Sequence, residues 1–215
     1  MMILVFGKSG QLSKELQLFP NIVALGRKEV DLVKPKNASE AIYFYKPKAV
    51  INAASYNLVD DAEHEESIAF AINAIAPGLM AQACKELGIP LIHISSDYVF
   101  DGSGNSLWKV TSKTSPKNVY GKSKEAGEKK VKEYSSNYVV LRTSWVFSSF
   151  GSNFVKTMLK LSETKDSISV VRDQIGGPTP SRSLALACMT IAKELMIDPK
   201  KSGLYHFSGT PNVSW

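Results

Sequence analysis

Tyr120 and Lys124 are the residues whose types and spacing most invite chemistry. They lie in Val119-Tyr120-Gly121-Lys122-Ser123-Lys124, which enters a basic, helix-like run from Glu125 to Tyr134. On a helix, residues four apart share one face. A phenol beside an ammonium ionises more readily, because the positive charge favours phenolate. The ammonium can also hold a ribose hydroxyl. Such a pair suits proton transfer at a carbonyl or carbinol carbon. The same spacing also occurs by chance on solvated helix faces, so the rest of the chain has to supply the partners.

The elements that must position the pair follow an alternating pattern. Short apolar runs predict strands over Met2–Phe6, Ile22–Leu25, Ala49–Asn52, Leu91–Ser95 and Tyr138–Arg142. Amphipathic spacing predicts helices over Gln11–Phe19, Ala38–Tyr45, Ser67–Leu87 and Ser123–Tyr134. Continuous apolar strands alternating with helices indicate a parallel sheet covered on both faces, and so an α/β, doubly wound, Rossmann-like fold. Beyond Arg142 the pattern loosens to helices at Asn153–Leu161 and Ser183–Met196, with strands at Ile168–Val171 and Leu204–Phe207. We expect residues 1–145 to form the dinucleotide-binding domain and 146–215 a small, incomplete substrate lobe interleaved with it.

Sheets of this kind bind ligands at the carboxyl ends of their strands. After the first strand comes Gly7-Lys8-Ser9-Gly10-Gln11-Leu12-Ser13. Its glycines let the backbone approach a phosphate where a helix begins. Ser13 occupies the position of a third glycine, where a small residue allows close helix–strand contact. The second strand ends in Gly26-Arg27-Lys28, whose cations favour a 2′-phosphate and hence NADP(H) over NAD(H), and Asp31-Leu32 is placed to flank the adenine. The third strand runs into Ala53-Ala54-Ser55-Tyr56, small enough at first for a cofactor to lie on the backbone. The fourth ends in Ser95-Ser96-Asp97, where a hydroxyl can hydrogen-bond a carbonyl oxygen. Asn73, in the long helix, is either a structural amide or a brace for the site.

Composition narrows the classes. In 215 residues the chain has 44% apolar and 21% charged residues, near globular averages, which excludes disordered and fibrous classes. No apolar run reads as a membrane span, and the start reads as a buried strand rather than a signal peptide. Cys84 and Cys188 stand far apart, so a disulfide framework is not expected and the expected compartment is a reducing cytoplasm. His64, His93 and His206 lack metal-ligand spacing. The net charge of +6 is spread along the chain without aromatic interleaving, which argues for an anionic small molecule rather than nucleic acid.

The motifs together resemble an extended short-chain dehydrogenase/reductase, and most closely the dTDP-4-dehydrorhamnose reductase family. The stretches that carry the likeness include Phe6-Gly7-Lys8-Ser9-Gly10-Gln11-Leu12, Ser95-Ser96-Asp97-Tyr98-Val99-Phe100-Asp101-Gly102 and Val119-Tyr120-Gly121-Lys122-Ser123-Lys124. The more specific ones are Leu141-Arg142-Thr143-Ser144-Trp145-Val146-Phe147, Asn153-Phe154-Val155-Lys156 and Asp173-Gln174-Ile175-Gly176-Gly177-Pro178-Thr179. The resemblance implies NADPH (NADH second) as cofactor and a nucleotide sugar as substrate, with reduction of the C4 ketone of dTDP-4-dehydro-L-rhamnose. It implies Tyr120 as general acid, Lys124 as the residue that lowers its pKa and holds the nicotinamide ribose, and Ser96 as orienter of the carbonyl. Asp97 and Trp145 match substrate contacts, and Gly10, Gln11 and Leu12 line the pyrophosphate. Some members hold magnesium between subunits through glutamates; Glu15 matches one, but Arg182 stands where a second acid belongs, so no metal is expected and a homodimer is left open. The alternatives are a reductase of another 4-keto sugar nucleotide, and a non-catalytic subunit like the regulatory subunit of methionine adenosyltransferase. Arg142 to Trp145 and Asp173-Gln174 favour the reductase.

Overall fold

Strand β1 (Ile3–Phe6) is buried along its whole length. Its residues alternate between two cores, as a period of two requires. Leu4 and Phe6 join a cluster with Ile42, Met80 and Val131, whereas Ile3 and Val5 join one with Leu16, Leu184 and Leu195. A fully buried aliphatic side chain contributes roughly 1.5–3 kcal/mol, so these two cores fix the register of the sheet.

The computed structural model describes residues 2–104 and 106–215; Met1 and Asn105 lie outside the described residues. Six strands form a parallel sheet: β2 (Ile22–Leu25), β1, β3 (Ala49–Asn52), β4 (Leu91–Ser96), β5 (Tyr138–Thr143) and β9 (Gly203–His206), in that order. The order reverses between β1 and β3, and a reversal of this kind opens a ligand crevice at the strand carboxyl ends. One face carries α2 (Lys36–Tyr45), α4 (Ala76–Glu86) and α5 (Val119–Tyr134); the other carries α1 (Gln11–Leu16) and α7 (Ser181–Ile197). The fold is the doubly wound, Rossmann-like α/β fold. Outside the main sheet, β6 (Val146–Phe147) pairs with β8 (Thr179–Pro180), and β7 (Ile175–Gly176) with β10 (Val213–Ser214). Helix α6 (Phe154–Ser162) lies between these short pairings in sequence and buries none of its residues.

The long helix departs from regular geometry. It runs as α3 (Glu66–Phe70), a π-helical turn over Ala71–Ile75, and α4. Pro77 has no amide hydrogen, and its ring would strike the carbonyl four residues back, that of Asn73. The widened turn accommodates it. The displaced Asn73 carbonyl approaches α5 where Gly127 presents no side chain, and a Cβ there would collide with it. The helix is long and apolar enough to pass for a membrane span by composition, contrary to expectation, but 61% of that stretch is buried inside the protein, as befits a core helix.

Other boundaries differ from expectation for local reasons. Helix α1 stops at Leu16 rather than Phe19, because Pro20 disfavours helical backbone at the residue before it. Helix α5 starts at Val119 rather than Ser123, since the Asn118 side chain accepts the Gly121 amide hydrogen at 2.8 Å and caps the turn. Ile168–Val171 forms no strand: Ile168, Val170 and Val171 are exposed, with no sheet edge to pair with.

Replacing Gly127 by alanine should therefore lower stability by about 1–3 kcal/mol, the usual cost of overpacking. On an open helix face the same change would raise stability by about 1 kcal/mol. Urea unfolding decides between the signs, and a stabilised variant would show that the α5 contact with Asn73 yields.

Candidate active site

Each element of the switch-point crevice delivers one part of the site. Gly7 ends β1 with φ of +100°, and a Cβ there would lie 2.8 Å from the Ala54 nitrogen and 2.9 Å from the Ala53 carbonyl group. Glycine is required on both counts. Gly10 stands at the N-cap of α1 and supplies no side-chain cap, which leaves first-turn amides of α1 without an intrahelical partner. Leu12 and Ser13 are buried beneath the loop, and the Ser13 hydroxyl has no hydrogen-bond partner, consistent with a position chosen for smallness. Gln11 crosses to the other side of the cleft, where its side chain donates to the Val146 carbonyl at 3.3 Å and accepts from Asn153 at 2.9 Å.

At the end of β2, Arg27 and Lys28 are exposed and in no ion pair among the described residues. Sequence reasoning missed their neighbour Glu29. Its carboxylate accepts the Gly26 amide hydrogen at 3.0 Å and the Lys8 ammonium at 2.6 Å, which hold its pKa below the usual value. Asp31 is occupied within its own turn, accepting the Val33 amide hydrogen at 3.1 Å, and Leu32 is a core residue beside Leu25 and Val30. The expectation that Leu32 flanks an adenine meets a buried side chain, because its apolar surface is taken up by the sheet.

Asn73 joins the loop after β3 to helix α5. Its Oδ1 accepts the Tyr56 amide hydrogen at 2.9 Å and the Ser55 hydroxyl at 3.1 Å. Its Nδ2 donates to the Tyr56 carbonyl and to the Ser123 Oγ, each at 3.0 Å. Ser123 in turn donates to the Tyr120 carbonyl at 2.7 Å. The Tyr56 phenol is spent on Glu65 at 2.7 Å, and that bond pushes it up to about 12.

Tyr120 occupies the first turn of α5, partly buried, with its ring edge-on to Tyr98 at 5.3 Å. Burial pushes its phenol up to about 12; the hydroxyls of Ser96 and Ser55 act in the opposite direction, while Asp97 and Tyr98 reinforce the rise. The expected acidification of Tyr120 by Lys124 is not what the geometry shows. Lys124 lies one turn on, 2% exposed, and its ammonium donates to the Ile94 carbonyl at 2.6 Å. Burial lowers Lys124 to about 8 against the opposing pull of Glu128. Burial is thus the largest influence on the phenol and favours its protonated form. Ser96 ends β4 with its hydroxyl donating to Asp97 at 3.0 Å, and burial raises the Asp97 carboxyl.

A buried charge cluster beneath the pair was not foreseen. Arg142 of β5 donates to both oxygens of Glu128, at 2.9 and 2.6 Å, and Ser95 donates to Glu128 Oε1 at 2.5 Å. His93 is held neutral by burial and by the Lys124 charge; its Nδ1 faces the Asn52 amide at 3.1 Å. The signal was an arginine and a polar pair set in otherwise apolar strands.

Trp145 lies in a cleft of about 300 Å³ shared with Gln11, Phe154, Pro178 and Trp215. Its backbone has φ of +46°, a strained value for a bulky residue, and its ring stacks on Trp215 at 3.6 Å. Gly176 is needed beside it, since a Cβ would lie 2.5 Å from the indole. Glu15 is buried against the Ser148 hydroxyl at 2.7 Å and faces the Arg182 guanidinium at 3.8 Å. A cation of the chain thus already stands beside that carboxylate.

Comparison with known proteins places the whole chain in one family. The model of the RmlD substrate binding domain family matches residues 1–215. The dTDP-4-dehydrorhamnose reductase of Aggregatibacter actinomycetemcomitans is 40% identical over 220 residues, covering 99% of this chain and 75% of the relative. The Clostridium acetobutylicum dTDP-4-dehydrorhamnose reductase superposes with a TM-score of 0.92 at 34% identity, over all of this chain and 76% of that one. The Bacillus anthracis dTDP-4-dehydrorhamnose reductase, solved in complex with NADP, gives 0.91 at 36% identity, over all of this chain and 77% of that one. A family model spanning the whole chain, with a relative 40% identical over 99% of it, makes the chain a member of the dTDP-4-dehydrorhamnose reductase family.

Proposed function

We propose that the protein reduces the C4 ketone of dTDP-4-dehydro-L-rhamnose to give dTDP-L-rhamnose, with NADPH as cofactor. The observation that carries the reading is the placement of Tyr120 in the first turn of α5, with the buried Lys124 one turn on and the Ser96 hydroxyl at the end of β4. A reduction needs a proton donor at the carbonyl oxygen, and a phenol at about 12 retains its proton throughout the neutral range.

The residues present fit the cofactor. Gly7 and Gly10 keep the loop surface bare, Ala53 and Ala54 keep the end of β3 low, and Arg27 and Lys28 are exposed cations at the end of β2, suited to a 2′-phosphate. When bound, the reduced nicotinamide supplies the hydride. Tyr120 Oη gives its proton to the C4 oxygen as that oxygen gains charge. Ser96, turned from Asp97, donates to the same oxygen and orients the carbonyl. Lys124 holds a ribose hydroxyl and adds positive charge near the developing alkoxide. Residues 146–180 and 207–215, with Trp145 at their edge, form the side on which the nucleotide sugar is received; Asp97 and Trp145 are its contacts. The mildly positive net charge suits such an anionic substrate.

Tyr120→Phe should lower kcat by about 10²–10⁴-fold, the usual worth of general acid catalysis, while NADPH affinity by fluorescence titration stays within a factor of two or so. Turnover equal to the parent would remove Tyr120 from the mechanism. Arg27→Ala should raise the KM for NADPH about tenfold or more, as expected for a lost charge-assisted bond, with little change for NADH. Equal losses for both cofactors in steady-state assays would defeat the 2′-phosphate assignment.

A further inference from the structure

Helix α5 presents three polar side chains at successive turns: the partly buried Tyr120 and the buried Lys124 and Glu128. The last has no part in the reaction as described, yet it is 7% exposed and takes three hydrogen bonds from two strands. Arg142, itself 6% exposed, grips it with two nitrogens, stacks its guanidinium on Phe100 at 4.9 Å, and reaches toward His206 at 3.5 Å. Such a pair holds its geometry but contributes little to net stability, since both ions lose their hydration.

The pair is linked to Lys124 through β4. Lys124 donates to the Ile94 carbonyl, and Ser95, the next residue of β4, donates to Glu128. Residues four apart on a helix lie side by side, so the Glu128 carboxylate is the anion next to the Lys124 ammonium. Around Lys124 stand His93 from β4, held neutral, Tyr120 and Glu128 from α5, and Arg142 from β5, with His206 of β9 behind Arg142 and Asp97 beyond Ser96. In this set Glu128 is the group that favours a charged Lys124, and Arg142, which grips that carboxylate, is a second buried cation, whose like charge disfavours the ammonium.

We propose that Glu128 and Arg142 are positioning residues for the reduction: the carboxylate keeps Lys124 in its ammonium form and in the rotamer that meets Ile94, and the guanidinium fixes the carboxylate and trims its effect. The inference rests on the reductase reading only for its consequence in turnover. The charge relation itself belongs to the folded chain. With Lys124 at about 8, the ammonium is retained at neutral pH and lost just above it, so small changes in the local charge fall within the working range.

The two partners should act in opposite directions, which a merely structural role would not produce. Glu128→Gln leaves the Arg142 guanidinium buried beside Lys124 without its anion. The alkaline limb of kcat/KM against pH should then move down by about one unit or more, a tenfold change in proton affinity. Adding Arg142→Met removes that cation, and the limb should recover at least about half of the displacement. The same titration is read without substrate from the Lys124 ε-carbon signal in ¹³C-lysine-labelled protein, assigned by its loss in Lys124→Arg. A failed reductase assay with a shifted NMR titration rejects the activity alone; an unshifted titration rejects the positioning role alone. If Glu128→Gln does not fold, Glu128→Asp, which keeps the charge and breaks the two-point contact, should move the limb down by a smaller amount. An unmoved limb in the folded variants, or no recovery in the double variant, overturns the proposal.

Discussion

The Asn73 carboxamide is the interaction on which the rest of the site depends. All four of its hydrogen bonds go to segments that carry functional groups: two main-chain bonds to Tyr56, one from Ser55 and one to Ser123. A buried amide left with an unmade bond costs roughly 1–3 kcal/mol, so the loop after β3 and the first turn of α5 are held together or not at all. The amide reaches both because it sits in a π-helical turn, and that turn exists because Pro77 cannot continue a regular helix over Asn73. A defect in one helix therefore sets the spacing between α5 and the loop after β3. Gly127 completes the arrangement by letting α5 come close enough for the Ser123 hydroxyl to be reached.

This chain of cause explains what the sequence revealed and what it hid. Strands β2 and β3 are legible to the residue because a short apolar run bounded by turn residues has one good solution inside a parallel sheet. The Tyr120–Lys124 pair is legible because its spacing is local. The start of α5 was not, since the cap at Asn118 competes with a stretch of prolines, serines and lysines that carries no periodicity. Ile168–Val171 has the composition of a strand, but strands form only where an edge accepts them. Glu128 and Arg142 are fourteen residues apart in sequence, and nothing local in either helix or strand announces that they meet. Glu29 was hidden for the opposite reason: it lies so near the expected cations that their charge masked the acid clamped behind them.

The phenol shows how burial can reverse an argument from sequence. Proximity of an ammonium predicts an acidified tyrosine, and that would serve an enzyme drawing protons from an alcohol. Here the ammonium is turned toward the Ile94 carbonyl, and the apolar surroundings hold the phenol near 12. A protonated tyrosine is the form that the role proposed for Tyr120 needs, in which a proton is given to the new hydroxyl. The same burial brings Lys124 down to about 8, near the point where its charge is easily changed. The two residues thus differ in what controls them. Tyr120 is governed by exclusion of water, and Lys124 by the balance between exclusion of water and the neighbouring carboxylate.

That balance has a structural consequence for where the positive charge goes. Lys124 and Arg142 set two buried cations against the single carboxylate of Glu128, and His93 stays neutral beside them. The bidentate contact satisfies Arg142, which leaves the residual positive charge on Lys124, the member of the cluster nearest Tyr120 along α5. A buried cation without a full partner is costly in an apolar interior, and an electron-rich oxygen brought to the crevice reduces that cost. The network below the site therefore does more than fill space. It leaves a positive charge on Lys124, one turn of α5 from Tyr120.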